Sequence, residues 1–328
     1  MEVILVTDWP SWRKHVDYVV ATRGRWFGLG DGDGTPIMTL PDPTGITAPD
    51  QWAEAEDLAF TMPALTSDYL THPAVEKLIM NAIGTFSRDG RLATAVEDLT
   101  LLAAFPGPGG HVQRRGGMIT HADGIDQDND GTPTELTINA TSIMDAWKTT
   151  IAASWPAAWW TARPYERRED EAGIRYTEPW NIARVELATR STFVWKHGRA
   201  GFVIRRLAQE SLDVTMATQA DPDGTLWVDD PFHVVEVPET DTSPEISLEA
   251  RDDTLWDTVS AQARNAGIVL GAHAWWPGDP AIRTWKPAKS TMTPAEVDIS
   301  PSEGEPQRPI GKHTYPHAMI VLTAKEVK

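Results

Sequence analysis

The sequence predicts a mainly β protein with α+β parts. Three observations carry that expectation. Short apolar segments recur along most of the chain, and Gly, Pro, Asn and Asp cut them apart. One late stretch, residues 252–280, instead shows helical periodicity, then a strand and a stiff turn. Hydrophobic residues make up 41% and charged residues 23%, which is the balance of a globular chain. At 328 residues the chain is long for one domain. The expected division is 1–160 as an N-terminal β-rich domain with a loop and helix insertion, 161–245 as a second β domain, and 246–328 as an α+β portion.

The chain opens on Met1-Glu2-Val3, with no basic stretch before its first apolar run, and Asp8 and Pro10 end that run. No signal peptide is expected from such a start. No apolar run approaches the roughly 20 residues of a membrane span, so no membrane anchor is expected either. Asp17 to Arg23 reads as a strand and Arg25 to Leu29 as its return, with Gly24 at the turn. Gly28 to Gly34 (GLGDGDG) reads as a flexible acidic loop. It is no dinucleotide fingerprint, because its third glycine is misplaced and its aspartates would repel a pyrophosphate.

Leu58 to Pro63 is a strand ended by proline, and Ala74 to Ile83 a helix stopped by Gly84. Asp98 to Phe105 is an apolar strand followed by the flexible PGPGG. Arg115 to Thr120 and Glu135 to Ala140 read as partner strands around an Asp-rich tip. Thr141 or Ser142 caps a short helix reaching Trp147. Trp155 to Pro164 is a stiff aromatic connector, and Tyr165 to Thr177 a charged loop or exposed helix. The stretch 180–237 reads as all-β, with strands at Ile182 to Leu187, Ser191 to Trp195, Gly201 to Arg206, Leu212 to Ala217 and Phe232 to Val237. Ala318 to Ala324 is the last strand.

The 252–280 stretch has the most specific local chemistry. Asp252 or Asp253 can cap the helix, and Thr254 with Asp257 imitates a capping box. Leu255, Val259 and Ala263 share one face with Trp256 beside them, and Gly267 supplies the left-handed stop. Ile268 to Leu270 begin a strand, and Pro277-Gly278 presets the turn of Trp275-Trp276-Pro277-Gly278-Asp279. Leu255, Trp256 and Val259 are expected to pack inward. Trp275 and Trp276 are expected on opposite sides of their strand, one towards the core and one towards a neighbouring subunit.

Composition excludes several function classes. There is no cysteine, hence no disulfide and no thiolate-held metal. The net charge of −18 argues against wrapping nucleic acid, although a like-charged passage could let DNA slide without sticking. Plain solubility explains the same charge. The 15 tryptophans suit interfaces and also suit sugars, while core filling is the ordinary explanation for any single one. Asp126, Asp128 and Asp130 imitate the start of a calcium loop, but Thr137 stands where its bidentate Glu is needed, so they are weak metal candidates beside an ordinary solvated turn. His313 and His317 are separated by Pro316 and make a poor metal pair. No nucleophile elbow, phosphate loop or HExxH is present. No catalytic residue and no cofactor is expected. Arg114-Arg115, Arg167-Arg168 and Arg205-Arg206 read as interface or strand-edge charges.

Taken in order, several segments resemble minor tail proteins of the tail-tip (baseplate) hub of long-tailed phages that infect actinobacteria. The resemblance rests on an opening hairpin (Tyr18 to Leu29), LAFTMP (Leu58 to Pro63), RRGGMIT (Arg114 to Thr120), ELTINATSIMDAW (Glu135 to Trp147), IAASWP (Ile151 to Pro156) and the helix ending in AHAWWPGDP. It implies two small β-barrel-like domains with a helix–strand domain. It also implies a structural virion protein at the tail tip, made in the host cytoplasm. Such a hub commonly forms a homotrimer ring that joins the distal tail protein to the tape measure and to central fibre or tip proteins, with DNA only as passing cargo. Trp159, Trp160, Trp275, Trp276, Pro277 and Asp279 are the expected interface residues. A carbohydrate-binding or receptor-binding protein and a cell-wall hydrolase are the rival readings. The first predicts an exposed coplanar Trp pair, the second a pair of carboxylates in one cleft.

Overall fold

The computed structural model describes residues 8–48, 57–80, 85–86, 92–94, 98–126, 133–153, 165–182, 195–220, 232–285 and 310–327. Among these residues it is mainly β, with 44% strand and 27% helix. The chain divides into two compact units. Unit 1 takes residues 1–146, 271–281 and 314–322; unit 2 takes 147–270, 282–313 and 323–328. Two late segments return to the first unit.

Unit 1 is built on α1 (Trp9–Arg23) and one antiparallel sheet. Its strands are β1 (Trp26–Asp31), β2 (Pro36–Thr39), β3 (Gly45–Thr47), β4 (Leu58–Pro63), β7 (Leu99–Pro106), β8 (Val112–Ile125) and β9 (Glu135–Ser142), in the order β2-β1-β7-β8-β9-β4-β3. A short separate pair, β5 (Thr85–Phe86) and β6 (Leu92–Thr94), lies between β4 and β7 in sequence. On one sheet face Phe27, Leu29, Phe60, Met62, Leu101, Leu136 and Ile138 form the main core, closed by Ala74, Val75 and Leu78. The rings of Phe27 (β1) and Phe60 (β4) lie 5.0 Å apart. Those strands are four places apart, about 19 Å in a flat sheet at the usual strand spacing. The sheet therefore curls strongly around this core, although no barrel closes among the described residues.

The start of the chain is a correction to the expected hairpin. Residues 9–23 are helical, with Asp8 capping Ser11 N–H at 2.8 Å and Pro10 in the first turn. Trp12, Val16 and Val20, four apart, are all buried. Gly24 ends the helix at φ 76, its N–H reaching Val20 O at 2.8 Å. Val19-Val20 suggested a strand, but the caps and the i, i+4 apolar row outweigh that local preference. Gly28 and Gly30 likewise lie inside β1, not in a loop. The Trp26 indole lies over Gly28, where a Cβ would come within 2.3 Å of the ring. The glycine is there for close approach rather than for mobility. The Ala74–Ile83 helix is a short turn, Pro73–Val75, continued by a π-helical turn at Glu76–Met80.

Unit 2 holds β10 (Tyr165–Glu169), β11 (Arg175–Ile182), β12 (Trp195–Arg199), α2 (Ala200–Ala220), β13 (His233–Val235), β14 (Glu245–Glu249) and α3 (Leu255–Asn265). β16 (Ile282–Trp285) and β17 (Ile310–His313) also belong to unit 2, while β15 (Ile268–Trp275) and β18 (Met319–Glu326) are divided between the two units. The small sheets pair β10 with β11, β12 with β14, β16 with β17, and run β13-β18-β15. Here the second all-β domain is corrected. The expected strands at Gly201–Arg206 and Leu212–Ala217 are parts of α2. Ala200, Val203, Ile204, Leu207, Ala208, Ser211 and Leu212 recur at helical spacing and are buried. Two β-branched residues at Val203-Ile204 obscured a pattern that spans two turns more than any strand needs. The expected loop or helix at Tyr165–Thr177 is a hairpin, whose turn is organised by the Asp170 carboxylate accepting from Ala172 N at 2.9 Å and Ile174 N at 2.8 Å.

α3 follows its expected face: Leu255, Val259 and Ala263 are buried at 0–1% exposure. Its cap is Thr254, whose Oγ1 accepts from Asp257 N at 3.0 Å, rather than Asp252 or Asp253. Trp256 is only half-buried, with Lys148 Nζ 5.8 Å from its ring centre. Arg205 is no edge charge. It is buried on α2, pairing with Asp241 and donating to Ala324 O at 2.6 Å.

Candidate functional site

The WWPGDP segment belongs to unit 1, where it packs on the second face of the curled sheet. Alternation along β1 and β7 builds that face. Phe27, Leu29, Leu101 and Ala103 point into the main core, while Trp26, Leu102 and Ala104 join Trp12, Val16 and Val20 of α1. Trp276 closes this second cluster. It is 1% exposed, with ring centres 5.7 Å from Trp9 and 6.0 Å from Trp26, the latter edge to face. Trp12 stands 6.3 Å from Trp26. Three tryptophans from the start of the chain and Trp276 from near its end thus form one aromatic group.

Asp279 locks the turn that presents Trp276. Its N–H reaches Trp276 O at 2.9 Å, and its carboxylate accepts from Trp276 N at 2.9 Å. Gly278 between them has φ 92, which only glycine adopts freely. A Cβ there would also stand 2.5 Å from a terminal nitrogen of Arg13. The same carboxylate pairs with Arg114 of β8 at 2.5 Å and with Arg13 of α1 at 3.0 Å. The Arg114 guanidinium lies 4.4 Å from the Trp276 ring centre and 3.9 Å from Asp17. Two arginines and two aspartates balance in charge, and Arg114 is almost wholly buried. The arrangement has a cost, because the Trp276 indole N–H is buried without a hydrogen bond.

A small polar relay borders the cluster. Trp26 Nε1 donates to Thr39 Oγ1 at 3.1 Å, and His15 Nε2 lies 3.0 Å from the same oxygen. Burial, aided by Arg23, holds the His15 imidazole below its ordinary pKa. What this site can do chemically is join a helix, a sheet and a late turn into one rigid body.

The expected placements of the two indoles need correcting. Trp275 and Trp276 are both covered by their own chain, at 4% and 1% exposure, so neither faces outward to a neighbour. Trp275 is held differently, by Nε1 donating to Pro280 O at 2.8 Å and by an edge contact with Tyr315 at 6.0 Å. Trp276 escapes strand alternation because β15 ends at Trp275. Pro277 is half-buried, and Asp279 faces inward to the arginines. The exposed coplanar pair required for sugar binding is therefore not supplied by Trp275 and Trp276. Trp159 and Trp160 lie outside the described residues, as do Asp128 and Asp130; Asp126 follows directly on β8. Sequence reading missed Arg13 and the inward role of Arg114. The signal for Arg13 was present only as a helical neighbour of Trp9 and Trp12, which the strand reading concealed.

Among the described residues, no helix is long and apolar enough to cross a membrane. No protein-family model matches this chain, and no curated protein matches it in sequence.

Proposed function

We propose that the chain is a structural subunit of a phage tail tip, a hub protein joining a distal tail ring to central tip proteins around the DNA passage. One observation carries the reading. The pieces of sequence on which the resemblance rests are scattered over more than 200 residues, yet three of them become neighbouring strands, β8-β9-β4. A fourth, WWPGDP, closes on them through Asp279 and Arg114. The shared segments thus make one mechanical unit, as a tail component under load requires. The acidic charge of −18 suits a wall past which DNA slides. The first arm of the opening hairpin is a helix and only its return is a strand, so that piece lends no support. The test is quantitative mass spectrometry of purified particles. Support would be this chain at a few copies per virion and its loss from tailless particles. Absence from intact particles overturns the proposal.

A further inference from the structure

We infer that residues 64–80 form an acid-released segment of unit 1, latched by the His72 imidazole and opened by proton uptake. The latch is a helix cap. His72 precedes the short turn Pro73–Val75, and its Nδ1 accepts from Ala74 N at 3.1 Å. Asn, Asp, Ser and Thr are the ordinary caps, and none of them changes charge between pH 5 and 8 as histidine does. An accepting Nδ1 carries no hydrogen, so the ring proton sits on Nε2. That nitrogen is buried and has no hydrogen-bond partner among the described residues. His72 as a whole is 3% exposed. A second proton goes to Nδ1 and turns the acceptor into a donor that faces the Ala74 N–H. The closed segment would then hold a buried cation without a partner. It must refuse the proton or open.

The segment that His72 holds is strained on both sides. Tyr69 has φ 59, a conformation that a tyrosine adopts at a cost, and its side chain, 86% exposed, gains nothing from burial. Glu76–Met80 is π-helical, a rare form. Backbone bonds close the neck between them. His72 N donates to Ala64 O at 2.8 Å, Val75 N donates to His72 O at 2.9 Å, and Leu65 bridges Thr71. Three atoms of one residue, N, O and Nδ1, thus tie the neck to the turn that follows. Opening uncovers Ala64, Ala74 and Val75, which are buried when the segment is closed. Charged groups on the surrounding elements are Asp68 before the neck closes, Glu76 and Lys77 on the π turn, Asp123 on β8, Asp126 just after it and Glu135 on β9; β4 has none. None of them shifts the imidazole, and burial alone holds it below its ordinary value. The closed form is therefore favoured above that ordinary value and loses ground as pH falls below it. The inference does not rest on the tail-tip reading, which concerns where the chain assembles.

Amide hydrogen exchange of the full chain tests it, followed by mass spectrometry from about pH 7.5 to about pH 5 and corrected for the intrinsic pH dependence of exchange. Once open, His72 titrates near its ordinary 6.5, so opening should become up to about 30-fold more frequent at pH 5. In peptides covering 64–80 the increase below pH 6.5 should approach about tenfold per pH unit, the mark of one proton. Peptides of β4 and β9 should keep their protection. His72→Asn keeps an acceptor in place of Nδ1 and does not titrate, so its protection over 64–80 should not vary with pH. A wild-type change below about threefold overturns the inference, and so does an equal loss over β4 and β9, which is global unfolding. A folded His72→Asn chain that loses protection as the wild type does overturns it too. The two wild-type outcomes decide the matter even if His72→Asn does not fold.

Discussion

Asp279→Ala is the most exposing single change. It removes the acceptor for Trp276 N–H and both arginine partnerships at once. Among the described residues, Arg114, 6% exposed, is then left with Asp17 at 3.9 Å, whose side chain is half in water. Removing one partner of a buried pair costs about 3–5 kcal/mol, mostly because the other charge stays buried. Arg13 is 30% exposed and can turn to solvent, so the lower half of that range, about 3–4 kcal/mol, is expected. Asp279→Asn keeps an acceptor for the turn and should cost less. The revealing variant is Arg114→Met added to Asp279→Ala. It removes the stranded charge and keeps an apolar stem on Trp276, so it should recover at least about 1 kcal/mol. Urea unfolding, read by hydrogen exchange over α1 and β8, measures these changes without the added salt that would screen the ion pairs. A loss below about 1 kcal/mol for Asp279→Ala would refute the claim that this carboxylate ties helix, sheet and turn together. So would a double variant worse than the single.

Other expectations follow from the same geometry. Gly278→Ala should cost about 1–3 kcal/mol, from its left-handed backbone and the clash with Arg13, by the same urea measurement. Thr254→Ala removes the α3 cap and should lower stability by about 1 kcal/mol in thermal unfolding. Burial lowers the pKa of His233 from its ordinary value of 6.5 to about 4. The unfolded chain therefore takes up this proton first. The stabilisation is complete above pH 6.5 and is lost as pH falls towards 4, by up to about 3 kcal/mol. Burial lowers His15, His72 and His313 in the same sense. Urea midpoints across that window should fall less steeply for His233→Gln; equal slopes would remove His233 as a cause.

Much of the fold was legible where local chemistry and packing agree. Thr254, Asp257 and Gly267 bracket α3 by caps, and Leu255, Val259 and Ala263 fill its buried face. Leu58–Pro63 and Glu135–Ala140 alternate as strands and pair directly. α1 and α2 were misread because valine and isoleucine favour strands locally, while burial of one helical row decides the outcome. The Trp276–Asp279 turn was legible as a stiff corner. Its direction was not. Whether an indole turns inward depends on Trp9, Trp26 and Arg114, which lie 162 to 267 residues away in sequence and meet it only through the sheet topology.

The central claim, a place in the tail tip, is met most directly by electron cryo-microscopy of an assembled particle. The account predicts density at the end of the tail tube into which the seven-stranded sheet of unit 1 fits, with α1 packed on its β1 and β7 strands and Trp276 closing that cluster. A tail tip whose density is fully traced by other chains would contradict it.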